Sequence, residues 1–325
     1  MKKANEIRNV LIVGGGLMGK NIAFVMTANL TFQVTVYDVR PTNIREGIQN
    51  STRQLLEKGV LSAEEWEERM ARIRFTDDIE DQAFPEADLV IEAVFEDLAV
   101  KQDTFAKLED RCRRDACFCT NSSVMSPSQI SANLRYRERF VGTHFWNPAH
   151  LLPLVEVIKT DATADGVAET VMEVLSGVGK KPCLCKKDVP GFIANRLQHA
   201  LWREAISIVE HGIADAQTVD IAIKNSFGLR LPQLGVLENS DMVGTQLTWN
   251  IHSYVLPYLE DSHAPSPLLQ QMLQEEKMGF SSGCGFYCWE GNSADKCSAE
   301  LNDYLCLLYT SVRCSWPTPS VWPGP

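Results

Sequence analysis

In the stretch HFWNPAHLLPLVEV, His144 comes first and Glu156 next to last, twelve positions apart. An imidazole that exchanges protons near neutral pH is suited to general acid–base chemistry. A carboxylate on its second ring nitrogen fixes the tautomer and stabilises the cation formed when the ring takes a proton. Twelve positions do not fit one helix face, whose partners stand three or four apart. They fit two adjacent strands joined through the Trp146-Asn147-Pro148 turn. On spacing alone the plainer alternative stands beside this one: a polar strand cap and an ordinary carboxylate.

A second constellation lies near the start. VLIVGGGLMGKN sets Gly14, Gly16 and Gly19 in a Gly-x-Gly-x-x-Gly pattern, after an apolar run and at the head of a helical pattern. Such a pattern is weak alone, but FQVTVYD supplies a second strand ending in Asp38, nineteen residues beyond Gly19. A dinucleotide-binding βαβ unit carries its ribose-binding acid at that distance. Gly14 then allows the tight turn, Gly16 lets the backbone approach a pyrophosphate, and Gly19 lets helix and strand pack closely. The helix N-terminus offers free N–H groups and its positive dipole end to the anion. Asp38 accepts from ribose hydroxyls and repels a 2′-phosphate, which favours NAD over NADP, while Arg40 works against that preference. Oxidising an alcohol with NAD requires a base for the hydroxyl proton as the hydride leaves, a task for which a neutral His144 is suited.

The elements that position these groups follow from patterning. Strands are expected at Val10 to Val13, Gln33 to Asp38, Leu89 to Val94, Phe118 to Asn121, Phe140 to His144, Leu154 to Ile158 and Pro182 to Lys186. They alternate with helical patterns, as in a parallel sheet flanked by helices. LLEKGVLSAEEWEERMARIRF reads as two helices separated by Gly59, with Glu65/Arg69 and Glu68/Arg72 spaced for a solvated, ion-paired face. At KKDVPGF the pattern changes: Pro190 is expected in the first turn of a long helix carrying Ile193, Leu197, Leu201, Ala205, Ile208 and Val209. Helices without strands are expected from there to about residue 290. The fold class is therefore α/β: a Rossmann-type, mostly parallel sheet with helices on both faces in residues 1–187, followed by a smaller all-helical domain in 188–290. Residues 291–325 end in SWPTPSVWPGP and are expected to be an irregular, disordered or non-native tail, with a partner-binding polyproline segment as the alternative.

Composition narrows the classes. The 325 residues carry a formal net charge of −11, which argues against a nucleic-acid partner. No apolar run approaches the ~18 residues of a membrane span. Glu6, Arg8, Lys20 and the glycines interrupt the signal-like start, so a cytoplasmic protein is expected. Ten cysteines are scattered without a Cys-x-x-Cys pair, which favours free thiols over zinc or a disulfide framework.

The motifs GGGLMG, ADLVIEAVFED, TNSSV, HFWNP…LVEV and PGFIANR occur in the order and spacing of the L-3-hydroxyacyl-CoA dehydrogenase family, which the chain resembles from about residue 8 to 290. The resemblance implies an NAD-binding domain, a helical domain that forms a homodimer, and reversible oxidation of a 3-hydroxyacyl-CoA. It implies His144 as the base and Glu156 as its orienting partner. Ser123, Asn147 and Asn195 would contact substrate. Gly14, Gly16, Leu17, Met18, Gly19, Asp38, Glu96 and Lys101, with Ser123 and Asn147, would contact the cofactor. Caps and turns are the plainer alternative for Ser123 and Asn195, and a solvated helix lysine for Lys101. His150, His199, His211, His252 and His263 match no catalytic position, and Trp146 suits packing. Two departures stand out. In GFSSGCGFYCWE, Ser281 occupies a position where family members often carry Lys, and the acidic hairpin offers no obvious site for CoA phosphates, although Lys58, Arg69 and Arg72 could supply one. A dehydrogenase of a free hydroxy acid such as carnitine or gulonate, or a non-catalytic NAD-binding protein of the same fold, therefore stand as alternatives.

Overall fold

The computed structural model describes residues 2–40 and 43–315. Short β-branched and aromatic runs form one sheet from β1 (Asn9–Val13), β2 (Gln33–Tyr37), β3 (Ile73–Thr76), β4 (Leu89–Glu92), β5 (Cys117–Thr120), β6 (Phe140–Phe145), β7 (Leu154–Ile158) and β8 (Lys181–Cys185). Their order is β3-β2-β1-β4-β5-β6-β7-β8. The strands from β3 through β6 run parallel, β7 is antiparallel to β6, and β8 is parallel to β7. The order reverses beside β1, and open α/β sheets bind ligands at such a point.

Period-two alternation divides the strand side chains between two cores. Val10, Ile12, Leu89, Ile91, Cys117 and Cys119 face one cluster, and Leu11, Val13, Val90 and Phe118 the other. The first cluster is closed by α1 (Leu17–Met26), α2 (Ile44–Glu57) and α3 (Ala63–Ala71), the second by α4 (Ala83–Glu86), α5 (Leu98–Arg111) and α6 (Pro127–Ile130). A further helix, α7 (Val167–Gly177), packs its Val171 and Val174 on the first. Covered on both faces, β4 and β5 are buried at every residue.

Three expectations need correction. The run that ends the second hairpin helix, IRFT, is the edge strand β3; with four residues and an exposed Arg74 it is too short and polar for its alternation to stand out. The long helix α8 (Ala194–Glu210) begins at Ala194 and not at Pro190, because Gly191 (φ 75°) and Phe192 (φ 49°) sit in the left-handed region, which a right-handed helix cannot include. The chain beyond residue 291 is not irregular throughout: Ser293–Ser315 is helical, Cys306 is buried in the first core, and Lys58 pairs with Asp303 at 3.1 Å. The proline-rich end at 316–325 lies outside the described residues. In the α2–α3 hairpin, Glu68 and Arg72 pair at 3.4 Å, and Glu65 accepts from the Ser62 amide in a capping box.

The chain forms two compact units, one of residues up to Ile193 together with those from Glu300 on, the other Ala194–Ala299. The second contains α8, α9 (Ala216–Lys224), α10 (Phe227–Arg230), α11 (Val236–Val243), α12 (Thr245–Val255), α13 (Pro267–Gln274) and the start of α14 (Ser293–Ser315). Among its described residues there is no named strand. No described helix is long and apolar enough to cross a membrane.

Candidate active site

The antiparallel register of β6 and β7 sets His144 directly opposite Glu156. His144 Nδ1 lies 2.8 Å from Glu156 Oε2, and the carboxylate is completely buried. An ionised carboxylate only accepts, so Nδ1 carries the proton and Nε2 keeps the lone pair. Glu156 has further donors: Trp146 Nε1 reaches the same oxygen at 3.3 Å, and the Ile193 amide reaches Oε1 at 2.8 Å. The imidazole is walled by Trp146 and the buried Phe192, with ring centroids 5.6 and 5.7 Å away. Trp146 thus holds the carboxylate as well as packing. Neither it nor Phe192 is distinguished by sequence spacing.

Asn147 is exposed in the turn that follows β6. Ser123 is exposed in the loop after β5, and Asn121 in that loop accepts from the Phe145 amide at 2.9 Å, which ties the loop to the strand bearing His144. The Ser123 amide and the Ser122 hydroxyl donate to Glu96 Oε1 at 2.9 and 2.5 Å. Burial favours the neutral form of Glu96, but the Ser122 hydroxyl, Lys101 and the Ser123 amide outweigh it and hold the carboxyl below its usual range.

Lys101 is not a solvated helix lysine. It is 1% exposed, and its ammonium pairs with Glu92 at 2.7 Å and Glu96 at 3.3 Å. It therefore supports Glu96 from below instead of presenting its own charge at the surface. Glu92, inside the strand expected at Leu89 to Val94 and not among the expected site residues, is fully buried and also accepts from Thr120 Oγ1 at 2.6 Å and the Val94 amide at 2.8 Å. A carboxylate closing a run as apolar as LVI was its available signal.

The glycine turn fits a dinucleotide. Gly14 has φ +100°, and a Cβ there would lie 2.7 Å from the Ala93 carbonyl oxygen; one at Gly19 would lie 1.8 Å from that of Gly14. A Cβ at Gly16 would meet no protein atom within 4 Å, so that side faces an open cradle. Gly16 caps the ten-residue α1, and the first helical backbone bond is Lys20 N to Gly16 O at 3.2 Å, so the amides of Leu17, Met18 and Gly19 precede it. Asp38 is fixed beside the turn by the Gly15 amide at 2.6 Å and the Arg40 amide at 2.8 Å, one to each oxygen. With Lys20 and Arg40 it lines the pocket. Carboxylate oxygens have further lone pairs for ribose hydroxyls.

Asn195 and Ser281 belong to the second unit. Asn195 is the second residue of α8, and Ser281 is exposed with its hydroxyl bonded to the Met278 carbonyl at 3.1 Å. Of the cations considered for CoA phosphates, Lys58 pairs with Asp303, Arg72 bonds Glu68 and the Thr27 carbonyl, and Arg69 lies over the Phe24 ring at 5.6 Å.

The doubly wound sheet, the open glycine turn and Asp38 beside it define a dinucleotide-binding domain. The NAD binding domain of 3-hydroxyacyl-CoA dehydrogenase matches residues 9–189, and the C-terminal domain of the same family matches residues 191–289. This chain belongs to the 3-hydroxyacyl-CoA dehydrogenase family. It is 35% identical over 280 residues to a probable 3-hydroxybutyryl-CoA dehydrogenase of Deinococcus radiodurans, covering 85% of this chain and 98% of that one. It is 31% identical over 299 residues to 5-formyl-3-hydroxy-2-methylpyridine 4-carboxylate 5-dehydrogenase of Mesorhizobium japonicum, covering 90% and 94%. A crystal structure of an enzyme of that latter name, described as an NAD+ dependent dismutase, superposes with TM-score 0.85 at 30% identity over 94% of this chain and 99% of that one.

Proposed function

We propose that this chain reversibly oxidises an L-3-hydroxyacyl-CoA to the 3-ketoacyl-CoA, with His144 as general base and Glu156 as its orienting carboxylate. The observation that carries the reading is the in-register, buried His144–Glu156 pair at 2.8 Å, with Nε2 left to accept a proton. NAD, when bound, would supply the hydride acceptor, and the Gly14–Gly19 turn, Asp38 and Glu96 would hold it. The hydroxyl proton passes to His144 Nε2. The positive charge that develops on the ring is offset by Glu156, whose other donors keep the carboxylate from turning away. Phe192 and Trp146 exclude water from the ring. Ser123 and Asn147, in the segments that follow β5 and β6, hold the reacting oxygen, where prepositioned dipoles stabilise developing charge without reorganisation; the role of Asn195 rests on the PGFIANR motif alone.

A second reading concerns the carrier. Lys58 and Arg72 are already engaged, and the likeness to a dehydrogenase of a pyridine carboxylate favours a free acid over a thioester. The test is NADH oxidation with acetoacetyl-CoA, acetoacetate, dehydrocarnitine and an aromatic aldehyde carboxylate side by side. Preference for the thioester supports the first reading, preference for a free acid the second. Inactivity toward every carbonyl compound sinks both.

The helical unit supports a homodimer. Among its described apolar side chains only Val219 is buried, while Leu237, Tyr258, Ile213 and Trp249 are 70–79% exposed. Monomers rarely leave so much apolar surface in water. Sedimentation should give twice the chain mass at micromolar concentration, and a stable monomer there would refute the dimer.

A further inference from the structure

The last hairpin of the helical unit brings two cysteines face to face. Cys284 and Cys288 are opposite residues of an antiparallel bridge. The backbone bonds flanking them, Trp289 N to Gly283 O at 2.7 Å and Gly285 N to Tyr287 O at 2.8 Å, mark a non-hydrogen-bonded pair. In that arrangement Cα atoms approach to about 4.5 Å and side chains come closest. This falls within the span of about 4.4–6.8 Å that a disulfide bridges. The neighbouring Cys284, through hydrogen bonding and then through its charge, pushes the Cys288 thiol above its ordinary value, and Lys277 opposes the shift. Cys288 is exposed and Cys284 half-buried, whereas Cys112, Cys117, Cys119, Cys185 and Cys306 are buried.

We propose that Cys284 and Cys288 are a reversible dithiol–disulfide site, oxidised by hydroperoxides. The exposed Cys288 thiol first gives up its proton, and its thiolate attacks one peroxide oxygen; the O–O bond breaks, hydroxide leaves and takes up a proton to become water, and Cys288 becomes a sulfenic acid. The Cys284 thiolate then attacks the Cys288 sulfur; the S–O bond breaks, a second water leaves, and the S–S bond forms. Two thiols lose two electrons and two protons, and one hydrogen peroxide becomes two waters. The pair closes a very short loop, and cross-links of short loops constrain the unfolded chain least. A bond there suits being made and broken better than stapling the fold. Its surroundings give it something to hold: Tyr287 Oη donates to Asp220 on α9 at 2.9 Å, and Trp289 packs on Phe280 with centroids 4.5 Å apart.

The test treats reduced full-length protein with hydrogen peroxide, blocks remaining thiols with N-ethylmaleimide and maps the tryptic peptide 278–296. The expected result is a peptide about 2 Da lighter, unalkylated at both cysteines and restored by dithiothreitol. Cys284→Ser and Cys288→Ser should each abolish it, with the helical circular dichroism of the parent confirming that the variants are folded. Over-oxidation of Cys288 while Cys284 remains alkylatable, or a link from Cys288 to Cys297 or to a second chain, would overturn the proposal. So would failure of the native protein to react at all while its denatured form does.

Discussion

Replacing Glu156 by Gln tests the candidate site with almost no change of shape. Glu156 receives donors from His144, Trp146 and Ile193. Gln offers one acceptor oxygen and one N–H2 donor, so at least one contact must become donor against donor. If the amide nitrogen takes the place of Oε1, it faces the Ile193 amide and forfeits the 2.8 Å bond, leaving a part-buried donor unpaired at a cost of about 1 kcal/mol in stability. If it takes the place of Oε2, His144 must move its proton from Nδ1 to Nε2 and has no lone pair for the substrate. In either rotamer the negative charge opposite the imidazolium is gone. Loss of a general base or its orienting carboxylate typically costs on the order of 10²–10⁴ in turnover, about 3–5 kcal/mol of barrier. The assay is steady-state NADH oxidation with the preferred carbonyl substrate, alongside NADH affinity by fluorescence and folding by circular dichroism. Affinity for NADH should be unchanged, because the Gly14–Gly19 turn lies on β1 and α1. Near-parental turnover in a folded Glu156→Gln variant would refute the base assignment.

Gly16→Ala should keep the parental Tm and lose NAD affinity, because its Cβ meets open space, while Gly19→Ala, whose Cβ would lie 1.8 Å from the Gly14 carbonyl oxygen, should lose stability first; calorimetry with and without NAD separates the two. Lys101→Met should destabilise by about 3–5 kcal/mol in urea melts by leaving Glu92 uncompensated, and adding Glu92→Leu should recover much of the loss; no recovery would mean the pair is not the cause. His150 is pushed down to about 4 by burial and then by Lys180, so the unfolded chain, near 6.5, binds its proton first. The corresponding stability is present above pH 6.5 and lost as pH falls toward 4, by up to about 3 kcal/mol. Urea midpoints should drop between pH 7.5 and 5, less so in His150→Gln; equal slopes would exclude this histidine as the source.

Much of this architecture was legible because local pattern and tertiary role coincide. The glycine turn could be read because backbone geometry leaves it little choice: Gly14 and Gly19 have no room for a Cβ. The β6–β7 pairing could be read because two apolar strands joined by a short turn place residues twelve apart across from each other. What escaped depends on context. The edge strand β3 alternates over only four residues. The helical run before the proline-rich end was masked by the composition of that end, and its Cys306 is buried only because a core is there to receive it. Pro190 suggested a helix start, but Gly191 and Phe192 take left-handed φ, a tertiary choice that places the Phe192 ring against His144 and the Ile193 amide on Glu156.

The buried carboxylates point to one physical theme. Glu92 and Glu156 are each 0% exposed, and each is satisfied by donors from several residues, Val94, Lys101 and Thr120 for the first and His144, Trp146 and Ile193 for the second. Burying a carboxylate costs several kcal/mol, and replacing a buried ion pair by apolar groups is often neutral or stabilising. Stability therefore does not explain why these positions are acidic. Position does: a fully paired buried carboxylate fixes every donor that reaches it, and these two fix Lys101 beneath Glu96 and His144 beside Trp146. On this argument a Glu92→Leu, Lys101→Met double variant should recover most of the parent's stability and still bind NAD more weakly. If cofactor affinity were instead preserved, Glu92 would be packing alone.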